Sequence, residues 1–167
     1  AAADSQYGPI YDKFKNEPIE KLAQNPEAVN IGYRLFMTYC TVCHGSDARG
    51  VSGKGFPNLR DDEWIWGGKP EEIEATIKDG RNPPDAPAVM MAWKDIIGGD
   101  EAVKNVAQYV IRLNPKRQAE VDKAAAEKGQ QIFTATCSAC HGPEGQGMQP
   151  LGAPNLMDDI WLYGGSA

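Results

Sequence analysis

Residues 40–59 read CTVCHGSDARGVSGKGFPNL, and residues 137–156 read CSACHGPEGQGMQPLGAPNL. Both stretches begin with the same arrangement, in which two Cys are separated by two residues and followed at once by His. The two motifs contain all four Cys and both His of the chain. The chemistry that Cys and His can support in this protein is therefore confined to two short segments.

The two stretches belong to a longer internal repeat, which superposes without a gap at an offset of 97 residues. Over positions 32–68, 16 of the 37 residues are identical to their counterparts, and this density indicates two copies of one unit. We expect an irregular lead-in over 1–25, a first domain over 26–115 and the N-terminal part of a second domain over 116–167. At the offset of 97 residues, the position that matches the end of the first unit would lie past residue 200. The second unit is therefore expected to be incomplete.

The composition is that of a globular protein. The chain has 167 residues, of which 41% are hydrophobic and 24% charged, which excludes a disordered tail, a collagen-like fibre and a polytopic membrane protein. A net charge of −6 leaves no basic patch that favours a nucleic-acid partner. No run of roughly eighteen apolar residues predicts a membrane span, and the first residues lack the basic and apolar parts of a signal peptide.

Apolar periodicity and capping residues predict an all-α fold. Asn25 and Pro26 form a good N-cap and N1 pair for a helix that runs into the first motif. We expect residues 1–24 to be irregular, because Pro9 and Pro18 act as breakers, with at most a turn of helix at 18–23.

Three further helices are expected. Pro70 begins one with a stripe formed by Ile73 and Ile77, and Gly80 ends it. Asp100 is expected to cap the next, which ends at Asn114, and the last spans 117–136. No segment alternates with period two, so little or no strand is expected.

The Cys-x-x-Cys-His spacing is typical of covalent c-type haem attachment. On a helical turn, residues i and i+3 share one face, so two thiols can reach the two vinyl groups on one edge of a porphyrin. The next residue, His44 or His141, can then offer a ring nitrogen to the iron. Cys40, Cys43, Cys137 and Cys140 are thus the predicted thioether ligands of two haem c groups. A redox disulfide or a zinc site pooled from both motifs is the less favoured alternative.

A sixth iron ligand is expected for an electron-transfer haem, and Met commonly serves when the other ligand is His. Met90 and Met91 follow the first motif on a Pro-rich loop, and the residues alone do not choose between them. The alternative is that both fill the core. Pro57 and Pro154 recur after the motifs, where a rigid carbonyl can accept from the axial His. The aromatic candidates for bordering a haem, or for ordinary packing, are Trp64, Trp66, Trp93, Trp161 and Tyr163.

At this point the sequence resembles a known family. The first stretch, continued by Asp-Asp-Glu-Trp64 and Gly67-Gly68, and the second, continued to Gly165, are similar to the di-haem cytochrome c subunit (subunit III) of cbb3-type cytochrome c oxidases. Residues 6–9 resemble the segment after that subunit's membrane anchor. The likeness covers nearly the whole chain.

The resemblance implies two tandem class I cytochrome c domains, the second truncated. In each, the first and last helices cross at a Gly, so that Gly32 and Phe36 should meet Tyr109. The family's sixth ligand lies in a Val-Met-Pro-Ala-Trp stretch, which falls on Met90, with Met91 in the Pro position. The second Met is expected near position 187, beyond the chain end. The carbonyls of Pro57 and Pro154 take the place of the family's His acceptor.

The resemblance also implies a function. The chain is expected to relay electrons from a donor cytochrome c to the oxygen-reducing subunit, on the periplasmic side of the bacterial inner membrane. Its partners are expected to be the catalytic and mono-haem subunits, with no nucleic acid, and a membrane only through an anchor absent from this chain. It is not expected to be an enzyme by itself. The alternatives are a free soluble di-haem carrier and a di-haem peroxidase-like enzyme.

Overall fold

The computed structural model describes residues 2–51, 53–81 and 90–166. Within them the chain forms two compact units. Unit 1 consists of Ala1–Asp61 with Lys69–Glu71, and unit 2 consists of Asp62–Gly68 with Glu72–Ala167. The domain boundaries expected from the repeat stay predictions.

Four helices lie in the described part of unit 1. They are α1 (Ala2–Phe14), α2 (Ile19–Leu22), α3 (Pro26–Tyr39) and α4 (Thr41–His44). The short α2 agrees with the turn expected at 18–23. The expected cap of α3 is also present, since the Asn25 side chain accepts hydrogen bonds from the amides of Glu27 and Ala28 at 3.0 and 3.3 Å.

The expectation of an irregular lead-in is wrong over α1, which is helical with Pro9 inside it. Apolar side chains at positions 7, 10, 11 and 14 follow helical spacing, and the rings of Tyr7 and Tyr11 lie 6.5 Å apart. Proline removes one backbone hydrogen bond from a helix but does not abolish the turns on either side. The helical spacing of the apolar side chains therefore predicts the structure of this segment better than the presence of Pro9 does.

Unit 2 holds the remaining helices of the described residues, except that the first two residues of α5 belong to unit 1. The α-helices are α5 (Pro70–Asp79), α6 (Lys94–Ile97), α7 (Asp100–Leu113), α8 (Lys123–Ile132) and α9 (Ser138–His141). Two 3₁₀ turns span Pro115–Glu120 and Gln149–Leu151, and a π-helical turn spans Phe133–Cys137. Helix α5 has the expected bounds, and Gly80 after it has φ +74°, but Ile77 is exposed rather than buried.

The helix expected over 117–136 divides into three pieces. A 3₁₀ turn comes first, and α8 begins only after Asp122, whose side chain accepts from the amide of Ala125 at 3.1 Å. Helix α7 likewise begins one residue from expectation, because Gly99 is its N-cap and Asp100 is its first residue. Local caps thus set the bounds more finely than periodicity does.

The core of unit 2 lies between α7 and α8. Gly129 of α8 sits so close to α7 that a Cβ there would overlap the backbone carbonyl of Asn105. The rings of Tyr109 and Phe133 pack at 5.0 Å, and Phe133 is fully buried. The expected meeting of Gly32 and Phe36 with Tyr109 stays a prediction. Within unit 2, the close helix crossing at a glycine is made by Gly129, the repeat counterpart of Gly32.

The all-α prediction is confirmed. The described residues contain no strand, and their β-bridges are isolated pairs, Val51 with Phe56 and Met148 with Ala153. Among the same residues, no helix is both long enough and apolar enough to cross a membrane.

Candidate haem-attachment sites

The first motif lies on a tight helical turn that follows α3 directly. The amides of Cys43 and His44 donate to the carbonyl of Cys40 at 3.2 and 2.9 Å. This turn brings the two thiols to neighbouring positions, with the His next in line. The His44 ring Nδ1 lies 3.0 Å from the carbonyl oxygen of Pro57. Because a carbonyl only accepts, Nδ1 carries the proton and Nε2 keeps its lone pair.

The second motif repeats this arrangement. The His141 Nδ1 lies 3.1 Å from the carbonyl oxygen of Pro154. His141 is buried, with 8% exposure, whereas His44 is half-buried. The sequence predicts that each His donates a hydrogen bond to the carbonyl of the Pro that recurs after its motif. In the structure, both His–Pro pairs lie within hydrogen-bond distance. The roles of these residues toward haem stay predictions.

The loop that joins each His to its Pro is the same in both copies. The carbonyl of His44 accepts from Gly50 at 2.8 Å, and that of His141 accepts from Gly147 at 2.8 Å. Further along, the matching backbone bonds are Val51 to Phe56 (3.2 Å), Met148 to Ala153 (2.9 Å), Leu59 to Ala48 (2.8 Å) and Leu156 to Gly145 (2.7 Å). Two segments with different side chains thus share one backbone path.

Gly50 and Gly147 make this path possible. Their φ angles are +73° and +81°, a region that side chains with a Cβ avoid. A Cβ on Gly50 would lie 2.6 Å from the carbonyl carbon of Pro57, and one on Gly147 would lie 2.8 Å from that of Pro154. Both glycines are among the 16 identities of the repeat, but the sequence alone assigned them no role. Their place six residues after each His is the signal that could have assigned them to the loop.

None of the four thiols is paired in a disulfide. All four Cys are free and half-buried. Burial raises the pKa of the Cys137 thiol, and the neighbouring Cys140 raises it further, whereas a redox-active thiol has a lowered pKa. Among the described residues, no group of three or more His, Cys, Asp or Glu side chains could hold a metal ion.

Met90 and Met91 lie at the surface, with 74% and 53% exposure. The alternative that both fill the core is wrong. The preceding positions 82–89 lie outside the described residues, so part of the Pro-rich loop does too. Which Met binds iron stays a prediction.

The tryptophans that recur in the repeat pack on recurring glycines. A Cβ on Gly68 would lie 2.7 Å from Cγ of Trp64, and one on Gly165 would lie 2.8 Å from Cδ1 of Trp161. Trp161 also donates its indole N–H to the carbonyl of Asp158 at 3.3 Å. Both tryptophans thus pack on a nearby glycine, and a place beside haem stays a prediction.

The residues present fit haem c. Each motif offers two free thiols on one helical turn, together with an imidazole whose Nδ1 is engaged and whose Nε2 is left for a metal. The engaged Nδ1 fixes the ring orientation and makes Nε2 a better donor, as in other metal sites with a carbonyl behind the His. Cys40, Cys43 and His44 would hold one group, and Cys137, Cys140 and His141 would hold the other.

Comparison with known proteins agrees with this geometry. Residues 27–110 match the model of the family "Cytochrome C oxidase, cbb3-type, subunit III", and residues 126–167 match that of cytochrome c.

Similar curated proteins include the cbb3-type cytochrome c oxidase subunit CcoP of Rubrivivax gelatinosus, which is 49% identical over 165 residues, 97% of this chain and 50% of that protein. The FixP subunit of Azorhizobium caulinodans is 42% identical over 160 residues, 92% of this chain and 53% of that protein. The chain thus spans about half the length of the curated relatives it matches. With two cytochrome c domains and an all-helical fold, the chain belongs to the family of subunit III of cbb3-type cytochrome c oxidases.

Proposed function

We propose that the chain binds two haem c groups covalently and transfers electrons within a cbb3-type oxidase. The observation that supports this most directly is the loop from each His to its Pro, which has the same hydrogen bonds in both copies. When bound, haem c supplies an iron that alternates between two oxidation states. Covalently bound haem c is also what cytochrome c domains imply.

The chain's own residues attach and orient each group. The thiols of Cys40 and Cys43, and of Cys137 and Cys140, would hold the haem groups through thioethers. His44 and His141 would offer Nε2 to the iron, while the carbonyls of Pro57 and Pro154 hold the proton on Nδ1. We assign the repeats to residues 26–115 and 116–167, one haem to each.

The sixth position of the first site is assigned to Met90, with Met91 as the alternative. A filled sixth position keeps other molecules away from the iron, which suits electron transfer and not turnover of a substrate. The sixth ligand of the second site is assigned to none of the 167 residues. Under this proposal the chain is an electron-transfer subunit of the oxidase and not a catalyst by itself.

The proposed electron path runs from a donor cytochrome c, through the two haem groups, to the oxygen-reducing subunit of the oxidase. The partners are therefore that subunit and the mono-haem subunit. The names of the relatives support this assignment, since both are oxidase subunits. We place the path on the periplasmic side of the bacterial inner membrane, where haem is attached covalently.

Mass spectrometry of the chain, expressed with the haem-attachment machinery, tests the proposal. The unaltered chain is expected to carry two haem masses. The double variants Cys40→Ala with Cys43→Ala, and Cys137→Ala with Cys140→Ala, should each retain one. Thr41→Ala with Val42→Ala lies between the first pair of thiols and should retain both. A bare polypeptide mass from the unaltered, matured chain contradicts the proposal.

Spectra of the reduced protein in carbon monoxide separate the two methionines. Met90→Ala is expected to open the first iron to carbon monoxide, whereas Met91→Ala should leave its spectrum as in the unaltered chain. The reverse result assigns the ligand to Met91. Binding of carbon monoxide at the first iron of the unaltered chain contradicts a Met ligand there, and turnover of peroxide favours the enzyme alternative.

A further inference from the structure

Trp66 occupies a specific position in unit 2. The six-membered part of its indole lies directly over Gly152, so that a Cβ there would overlap the ring and come within 2.7 Å of Cζ3. Gly152 has φ +64° and ends the 3₁₀ turn Gln149–Leu151. The indole therefore covers the only face of this residue where a side chain would stand.

Two further contacts hold the segment 62–68 in place. The guanidinium of Arg81 lies 5.1 Å from the centroid of the Trp66 ring, at the distance of a cation–π contact. Arg81 is itself held by Thr76, whose hydroxyl accepts from Nε at 2.8 Å. In addition, the Gln149 side-chain amide donates to the carbonyl of Trp64 at 3.0 Å. Ring and backbone of the segment are thus both engaged with the turn that contains Gly152.

This turn leads directly to the His141 acceptor. Met148 and Ala153 exchange backbone hydrogen bonds at 2.9 and 3.2 Å, closing the turn around Gly152. The next residue is Pro154, whose carbonyl oxygen lies 3.1 Å from Nδ1 of His141. A side chain that fixes Gly152 therefore fixes the carbonyl two residues later.

The repeat supplies a natural contrast. At the offset of 97 residues, the counterpart of Trp66 is Tyr163. Tyr163 is 80% exposed. Tyr163 thus lies at the surface, whereas its counterpart Trp66 is stacked on a loop of the second repeat.

We infer that Trp66 is a positioning residue of the second haem-attachment site, acting through Gly152 and the Pro154 carbonyl on the hydrogen bond of His141. A residue of the first repeat thereby sets the donor strength of the axial ligand in the second. This inference rests on the proposed function, since it concerns a haem held by His141.

A loosened turn weakens the bond from Nδ1 to the carbonyl, which makes His141 a poorer electron donor to iron. A poorer donor stabilises the oxidised state less and raises the reduction potential. Trp66→Ala is therefore expected to raise the potential of the second haem and leave that of the first unchanged. The two potentials are assigned with the variants that lack one pair of thiols.

Controls and a second readout accompany the potentials. Tyr163→Ala should move neither potential, and Trp66→Phe should restore most of the original value, because a six-membered ring still covers Gly152. In hydrogen exchange, Trp66→Ala should speed exchange of the Gly147 and Leu156 amides, which shape the His141 loop, and spare those of Gly50 and Leu59. Exchange measured on the haem-free chain reports the same contact without the cofactor.

The result that overturns the inference is a second potential that does not move in Trp66→Ala, or two potentials that move equally. If Trp66→Ala does not yield folded protein, Gln149→Ala removes the second tie to the turn, and an unchanged second potential in that variant overturns the inference instead. Failure of the proposed function is distinguishable, because the unaltered chain would then carry no haem at all.

Discussion

The two repeats agree in their loops and differ in their helices. In both, the segment from His to Pro follows one backbone path with the same hydrogen bonds. Helix α3, which leads into the first motif, has no buried residue, whereas α8 buries Ala126 and Gly129 and is followed by the buried Phe133. The haem-attachment loop is thus encoded locally, while helix packing depends on residues distant in sequence.

The largest expected difference between the repeats is at their shared phenylalanine. Phe133 is fully buried against Tyr109, and its replacement by Ala should lower the free energy of unfolding of unit 2 by about 3–5 kcal/mol. Its counterpart Phe36 is half-buried, so Phe36→Ala should cost clearly less. Hydrogen exchange of the amides of each unit, measured at increasing urea concentrations, gives both changes in the free energy of unfolding. Equal losses would contradict the comparison.

Replacing the helix glycines Gly129 and Gly32 by Ala should change the stability of the fold in opposite directions. Gly129→Ala forces a methyl group into the backbone of Asn105 and should cost about 3 kcal/mol, because the two helices must separate. Gly32→Ala meets open space and should raise helix stability by about 0.5–1 kcal/mol. The same unfolding measurement applies, and a loss at Gly32 similar to that at Gly129 would show that α3 packs as closely as α8.

Replacing the loop glycines Gly50 and Gly147 by Ala should lower the stability of the fold by similar amounts. Gly50→Ala and Gly147→Ala each combine a positive φ with a close carbonyl group, so each should cost about 2 kcal/mol. Gly53→Ala provides the control, since Gly53 has φ +80° but nothing within 4 Å of its added methyl group. It should cost about 1 kcal/mol. Unequal losses at Gly50 and Gly147 would break the equivalence of the two loops.

The smallest expected effect concerns a surface pair in unit 2. Lys116 Nζ lies 2.5 Å from Asp159, and hydrogen bonds from Lys116 and then from Asn114 lower the pKa of the Asp159 carboxyl. Because the folded-state pKa is the lower one, the stabilisation is complete above the unfolded-state value, near 4, and is lost as the pH falls through the folded-state value. Asp159→Asn should therefore weaken the fold more at pH 7 than near pH 3.

Chemical denaturation of this variant at the two pH values measures the effect. The matched control is Asp62→Asn, since Asp62 is the exposed counterpart of Asp159 in the repeat. This control should behave like the unaltered chain at both pH values. A loss for Asp159→Asn that is as large near pH 3 as at pH 7 would assign the effect to packing rather than to charge.

Local signals predicted much of the fold and the site. Asn25, Pro70 and Gly80 act through caps and backbone geometry within a few residues, and the bounds of α3 and α5 followed from them. The pairing of each His with its Pro spans 13 residues inside one loop. Such features are readable because the interacting groups are neighbours in the sequence.

Which helices pack against each other could not be predicted from such local signals. Tyr109 can pack on either of two repeated phenylalanines, Phe36 or Phe133, and nothing local distinguishes the two. The exposure of Ile77 and the position of Trp66 over Gly152 also depend on distant segments. These are the points at which energy from tertiary packing decides between alternatives that local propensity leaves equal.

The shared loop has a consequence for protein engineering. Because the backbone-to-backbone and His-to-Pro hydrogen bonds named for residues 40–59 begin and end within that stretch, as do those named for residues 137–156, each stretch is a transplantable cassette. Exchanging the two cassettes would separate what the attachment sequence contributes from what its surroundings contribute. A designer who needs a haem anchor on another helical scaffold could start from this segment alone.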